Sequence, residues 1–256
     1  MRNIIGCGVA LLVIFAISSH GCAQRDPAGA EKNGECVILL HGLAKGPSSM
    51  AKIGNHLLQK GYSVVNSGYP STRYTVERIA ESHIPRMLRQ CGAAGEGKIH
   101  FVTHSMGGII IRQYLQDHQL PAGSRVVMIS PPNQGSALVD VFGGWFFFNW
   151  IYGPAGKTLG TGPESLPNRL EPVDAEIGVI TGSQSFNPLY SWIIEGEDDG
   201  RVAVQKAKLE EMKDFLVLPH THTFIMKSDA VCRQVLAFLA NGRFDRDGLS
   251  SEGDIE

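Results

Sequence analysis

The chain has 256 residues, 43% of them hydrophobic and 19% charged, with a formal net charge of −2. That length and make-up suit one large domain with a single substantial core rather than two domains. The near-neutral charge leaves no basic face of the size a nucleic acid would need, so that class of partner is set aside.

Taken in order, the chain begins with Arg2 and an almost unbroken apolar run from Ile4 to Ile17. A run of roughly 14 such residues fits a secretory signal, whereas a membrane span wants about 20. Cys22 after Gly21 resembles a bacterial lipoprotein cleavage box, although Ser19 stands where a leucine is expected. Ordinary cleavage after Ala23, with Gly21 and Ala23 as the small pair, is the alternative. The expectation is a signal peptide over 1–23, lipidation of Cys22 in the first reading, a small polar tether over 24–34, and an exported chain, periplasmic or membrane-attached. Cys7 and Cys22 fall in this leader, so Cys36, Cys91 and Cys232 remain. At most one disulfide can form among them, their spacing fits no zinc site, and burial as small hydrophobes is the expectation for each.

The folded region is expected over 35–244. Cys36 to Leu40 is a continuous apolar run bounded by glycines, the mark of a strand buried on both faces, and it ends in His41-Gly42-Leu43. Ser48 and Ser49 then suit the cap of a helix with Met50, Ile53, Leu57 and Leu58 on one stripe, stopped by Gly61. A short strand over Ser63 to Asn66 is followed by the turn-rich Gly68-Tyr69-Pro70-Ser71 and a helix from about Thr75 to Arg89, which Pro85 should bend or split. Ile99 to Val102 reads as a central strand running through Thr103-His104 into Ser105-Met106-Gly107-Gly108 and directly into a helix carrying Ile109, Ile110 and Tyr114. Arg125 to Ser130 is another buried strand. Strands alternating with helices imply an α/β fold with a mostly parallel central sheet and right-handed crossovers.

Residues 138–170 break that pattern with VFGGWFFFNWIYGPAG. An aromatic insert after a sheet strand can form a lid or dock on a membrane surface, and it can equally pack into the core. The lid reading assigns Trp145, Phe146 and Phe148 to substrate contact. Strands resume at Glu176 to Ile180 and Phe215 to Leu218, Asp229 suits the cap of a last helix, and a charged tail over 245–256 is expected to be disordered.

Ser105 stands where a strand turns sharply into a helix, a position that lifts a hydroxyl above the sheet with the Met106 N–H aimed at a developing oxyanion. Small residues are needed two positions to either side; Gly107 meets that need and Thr103 does not fully. A serine hydroxyl also needs a base and a group to orient the base. His222, just past one strand, and Asp199, past another, are the candidates; His220 competes with His222, and Asp198 with Asp199. Strand-like alternation would point His220 to the same side as His222. Glu195 and Glu197 are read as solvated, His104 as a packing residue, and His41 as structural. No cofactor motif appears, and no acidic ligand pattern accompanies His41, His220 and His222 to suggest a metal.

With these residues in view, the chain resembles an α/β-hydrolase of the lipase and esterase type over nearly everything from Cys36 to Phe244. His41-Gly42 resembles the family's oxyanion loop, THSMGG its nucleophile elbow, Asp199-Gly200-Arg201-Val202 its acid turn, and His222-Thr223-Phe224 its histidine turn. The resemblance implies Ser105 as nucleophile, His222 as general base and then acid, Asp199 as the residue that holds the ring, and Leu43 and Met106 as oxyanion donors. The activity it implies is hydrolysis of a small-molecule or lipid ester or thioester, without a cofactor. An acyltransferase on the same triad is the alternative within the class. A catalytically silent envelope protein that binds a lipid or partner is the alternative outside it.

Overall fold

The computed structural model describes residues 33–93 and 97–247. The expected signal peptide, Cys22, most of the tether and the tail from 248 onward lie outside the described residues.

Six strands form one parallel sheet: β1 (Glu35–Leu40), β2 (Ser63–Val65), β3 (Lys98–His104), β4 (Arg125–Ile129), β5 (Glu176–Gly182) and β6 (Asp214–Leu218), in the order β2-β1-β3-β4-β5-β6. The apolar runs are explained by this order. β1, β3, β4 and β5 each have neighbours on both edges and helices on both faces, so nearly every side chain is buried. Alternate residues go to opposite layers. Ile38, Leu40, Phe101, Val126 and Val179 pack with α2 (Val76–Ala93) and α3 (Met106–Tyr114), while Val37, Leu39, Val102, Val127 and Ile180 pack with α1 (Ala51–Gln59) and α8 (Asp229–Asn241). At Gly178 on β5 an added Cβ would lie 2.5 Å from the Phe238 ring, so α8 rests on the strand through that glycine.

Between β4 and β5 the expected insert forms α4 (Ala137–Phe142), α5 (Phe146–Lys157) and α6 (Leu166–Arg169), and α7 (Pro188–Ile193) follows β5. α5 breaks at Gly153, whose φ is 65°. An added Cβ there would lie 1.7 Å from the Thr72 carbonyl oxygen, so the kink seats α5 against the 70–74 turn.

Several local expectations are corrected. α2 runs unbroken through Pro85. The proline removes one hydrogen bond, the carbonyl it would have served belongs to the exposed Glu81, and Ile79, Ile84 and Met87 anchor the helix on either side. Ser48 and Ser49 make no side-chain cap, because a 3₁₀ turn over Pro47–Met50 intervenes, and the Ser49 hydroxyl instead donates to the Gly46 carbonyl at 2.7 Å. The last helix is capped by Ser228, whose oxygen accepts from the Val231 N–H, while Asp229 pairs with Lys52 at 2.7 Å. Cys36 and Cys91 are not merely buried hydrophobes: they form a disulfide joining the start of β1 to the end of α2, with Cα atoms 5.7 Å apart. Cys232 does match the expectation, buried under α8 with its thiol pushed up to about 11 by that burial.

The disulfide closes a loop with a sequence separation of 55. Replacing both Cys36 and Cys91 by alanine is expected to lower the unfolding free energy by about 2–5 kcal/mol in urea titrations, while Cys232→Ala leaves the reducing-agent dependence of the wild type intact.

Candidate active site

Because the strands are parallel and in register, their carboxyl ends share one edge: Leu40 lies opposite Thr103, Ile129 opposite His104, and Ile180 opposite Ile129. Every loop that carries a candidate residue leaves the sheet there.

Ser105 adopts φ 53° and ψ −124°, a conformation that L residues rarely hold. Its N–H donates to the Ile129 carbonyl at 2.8 Å, and its carbonyl accepts from the Gly108 N–H at 2.9 Å. α3 begins at the next residue and passes so close to β1 that a Cβ on Gly107 would lie 2.6 Å from the Leu40 carbonyl oxygen. Thr103, where a small residue was expected, is fully buried, and a Cβ on Gly108 would lie 3.0 Å from the Pro131 side chain.

His222 Nε2 lies 3.0 Å from the Ser105 hydroxyl, and its Nδ1–H donates to Asp199 Oδ2 at 2.8 Å. The other Asp199 oxygen accepts from the Arg201 and Val202 N–H groups at 3.0 and 2.8 Å, which fixes the carboxylate's orientation. The loop bearing His222 is pinned twice more. Its own N–H donates to the Asp199 carbonyl at 2.8 Å, and its carbonyl accepts from His104 Nε2 at 3.0 Å. His104 is thus a backbone anchor rather than a reacting group. Burial, reinforced by the adjacent His222, holds its imidazole well below the ordinary range, so it is neutral.

The competing candidates are placed elsewhere. His220 does not join the site as strand alternation suggested. Its N–H turns back to the Leu218 carbonyl at 2.7 Å, so the chain leaves the extended conformation before that residue. Asp198 accepts from the Gly200 N–H at 2.6 Å, inside its own turn, and Glu195 and Glu197 are exposed. His41 is structural. It stacks on Tyr69 with ring centroids 3.9 Å apart, its Nδ1–H donates to the Gly42 carbonyl at 2.9 Å, and its carbonyl accepts from the Tyr69 hydroxyl. Among the described residues no group of three or more histidine, cysteine, aspartate or glutamate side chains is placed to hold a metal ion.

Leu43 lines the same cavity as Ser105, Met106 follows Ser105 in the chain, and among the described residues neither backbone N–H has a hydrogen-bond partner. The turn carrying Leu43 is held from outside: Lys45 N–H donates to the Gly42 carbonyl at 3.2 Å, and Ala44 N–H, at a φ of 54°, donates to the Ser71 hydroxyl at 3.1 Å. Tyr69 and Ser71 were not singled out in the sequence. The only available signal was the turn composition of Gly68 to Ser71.

A cavity of about 240 Å³ opens over Ser105 and His222. The insert supplies much of its apolar wall through Leu138, Val139, Ile151, Tyr152 and Leu159. The expected substrate contacts need correction. Trp145 and Phe146 are 60% and 75% exposed and are not part of the wall, because they stand at the start of α5, a turn or more before the residues that face the cavity. The side chain of Phe148 lies outside what the structure describes.

No curated protein sequence matches the chain. Among solved structures, a lipase of Bacillus licheniformis, BlEst2 in mature form, superposes with a TM-score of 0.68 at 19% identity, over 85% of this chain and 96% of that one. Phospholipase PlaB of Legionella pneumophila gives 0.64 at 19% identity, over 88% and 62%. A monoacylglycerol lipase of Paleococcus ferrophilus gives 0.52 at 17%, over 83% and 96%. At such identities the likeness is one of fold. The sequence profile of the alpha/beta hydrolase fold matches residues 35–162, half of the chain, and on that match the chain belongs to the α/β-hydrolase family.

Proposed function

We propose that this protein is a serine hydrolase that cleaves a carboxylic ester or thioester through an acyl-enzyme. The observation that carries the reading is the continuous hydrogen-bonded chain from Ser105 through His222 to Asp199, together with the Leu43 and Met106 N–H groups, which have no hydrogen-bond partner among the described residues. In this reading Ser105 Oγ attacks the carbonyl carbon as His222 Nε2 takes its proton. Asp199 keeps the second ring proton on Nδ1 and stabilises the imidazolium. Leu43 and Met106 donate to the oxyanion as it forms. His222 then protonates the leaving alcohol or thiol, and water attacks the acyl-enzyme by the same route in reverse order. The apolar wall favours a substrate with an apolar acyl group, small molecule or lipid. Exposed Trp145, Phe146 and Trp150 on α5, with Trp192 on α7, support contact with a lipid surface. The Cys36–Cys91 disulfide supports an exported location, since such bonds persist in oxidising compartments. Among the described residues no helix is long and apolar enough to cross a membrane.

Ser105→Ala is expected to lower kcat on a chromogenic ester by on the order of 10⁶, and a variant hydrolysing at the wild-type rate would overturn the reading. Asp199→Asn tests the ring's orientation separately. Its oxygen still accepts from Arg201 and Val202, so its NH₂ faces the imidazole and drives the ring proton onto Nε2, where it cannot accept from Ser105. A loss of about 10⁴ in kcat with KM nearly unchanged is the expected result.

A further inference from the structure

The mouth of the cavity is electrostatically one-sided. Lys45 and Arg201 line it beside Ser105, and among the described residues no aspartate or glutamate does. A second, polar groove adjoins it, sharing Ala44, Lys45 and Thr223 with the first. That groove is lined by Lys45 and Lys227 together with the hydroxyl-bearing Ser48, Ser49 and Thr223, again with no carboxylate among the described residues. Among the described residues none of these three cations forms an ion pair, although Lys227 sits 5.4 Å from the centre of the Phe224 ring. The backbones of Lys45 and Arg201 are held in place. Lys45 closes the turn that presents Leu43, through its N–H to the Gly42 carbonyl, and the Arg201 backbone is held on one side by Asp199 and on the other by Ser136, whose hydroxyl donates to the Arg201 carbonyl at 2.6 Å. The charges of Lys45 and Arg201 are felt at the site, where both help to hold the buried His104 imidazole low, behind burial and His222.

An apolar cavity meeting a cationic, hydroxyl-lined groove at the oxyanion turn is complementary to an amphiphile with a short distance between its ester and a negative group. We infer that the substrate is an acyl ester whose alcohol part bears an anionic phosphate, with the acyl chain against the α4–α5 wall and the phosphate in the groove at Lys45 and Lys227. This inference rests on the hydrolase reading and narrows it to a substrate class, that of lysophospholipids and related glycerophospholipids.

The test uses the full chain and esters with one common acyl chain, presented in the same neutral detergent micelles: a lysophosphatidic acid, a lysophosphatidylcholine and a monoacylglycerol. We expect kcat/KM for the anionic ester to exceed that for the neutral one on the order of tenfold, with the zwitterion between them. The ratio should shrink as salt rises from 10 mM to 500 mM, because the groove is open to solvent. The double variant Lys45→Met, Lys227→Met should bring the anionic-to-neutral ratio close to one, and Lys45→Arg, Lys227→Arg should restore it. Equal rates on the anionic and neutral esters, both abolished in Ser105→Ala, would overturn the inference and leave the hydrolase reading intact. Competitive inhibition of neutral-ester cleavage by inorganic phosphate without preference for the anionic ester would also overturn it, assigning the groove to a free anion. If none of the esters is cleaved and a fluorophosphonate does not label Ser105, the hydrolase reading falls and this inference falls with it.

Discussion

The site depends on two segments of backbone approaching each other with nothing between them. Ser105 is held at a positive φ, at a cost of order 1–3 kcal/mol, because β3 must turn at once into α3 while α3 lies against β1. Gly107 makes that approach possible, since any side chain there would run into the Leu40 carbonyl. The strain is held in place by the bond from the Ser105 N–H to Ile129 and by the buried residues on both sides of the turn, and it can persist only while β4 is paired with β3. One consequence is chemical. Ser105 immediately precedes α3, so it stands at the positive end of the helix.

The same constraint sets what the partner loops must do. A rigidly presented hydroxyl is useful only if the imidazole is equally fixed, and His222 is held by its ring, its N–H and its carbonyl at once. Two of those three contacts go to Asp199 and the third goes to His104, one residue before Ser105. The strand that carries Ser105 therefore supports His222 from behind, and Asp199 supports it from the side. A neutral His104 suits that task, since a second positive charge beside His222 would oppose formation of an imidazolium. Gly42 belongs to the same packing. An added Cβ would lie 2.8 Å from His104, so the turn at Gly42 and Leu43, His104 and His222 form one contiguous cluster.

Around this centre the chain arranges a gradient of polarity. The insert gives an apolar wall inside the cavity and exposed aromatic side chains outside it, and the kink at Gly153 locks α5 to the turn whose Ser71 supports Ala44. Lys45, Lys227 and Arg201 come from the turn over 42–45, the segment after His222 and the turn after Asp199.

The elements that could be read directly were those set by neighbours along the chain. Apolar runs without alternation marked β1, β3 and β4 because burial on both faces is a property of each strand's own residues. The elbow was legible in the same way, since a strand, Ser105, Met106, Gly107 and a helix leave no room for a relaxed loop. The order Ser105, Asp199, His222 was also visible. By itself the sequence left His220 against His222 and Asp198 against Asp199 undecided, missed Tyr69 and Ser71, and assigned substrate contact to aromatics that stand outside the cavity. Only the tertiary structure decided these. Which of two nearby side chains reaches a hydroxyl more than a hundred residues away depends on a single turn at His220, on the register of β5 with β6, and on backbone bonds to distant carbonyls. Pairing of Cys36 with Cys91 likewise required β1 and α2 to be packed side by side.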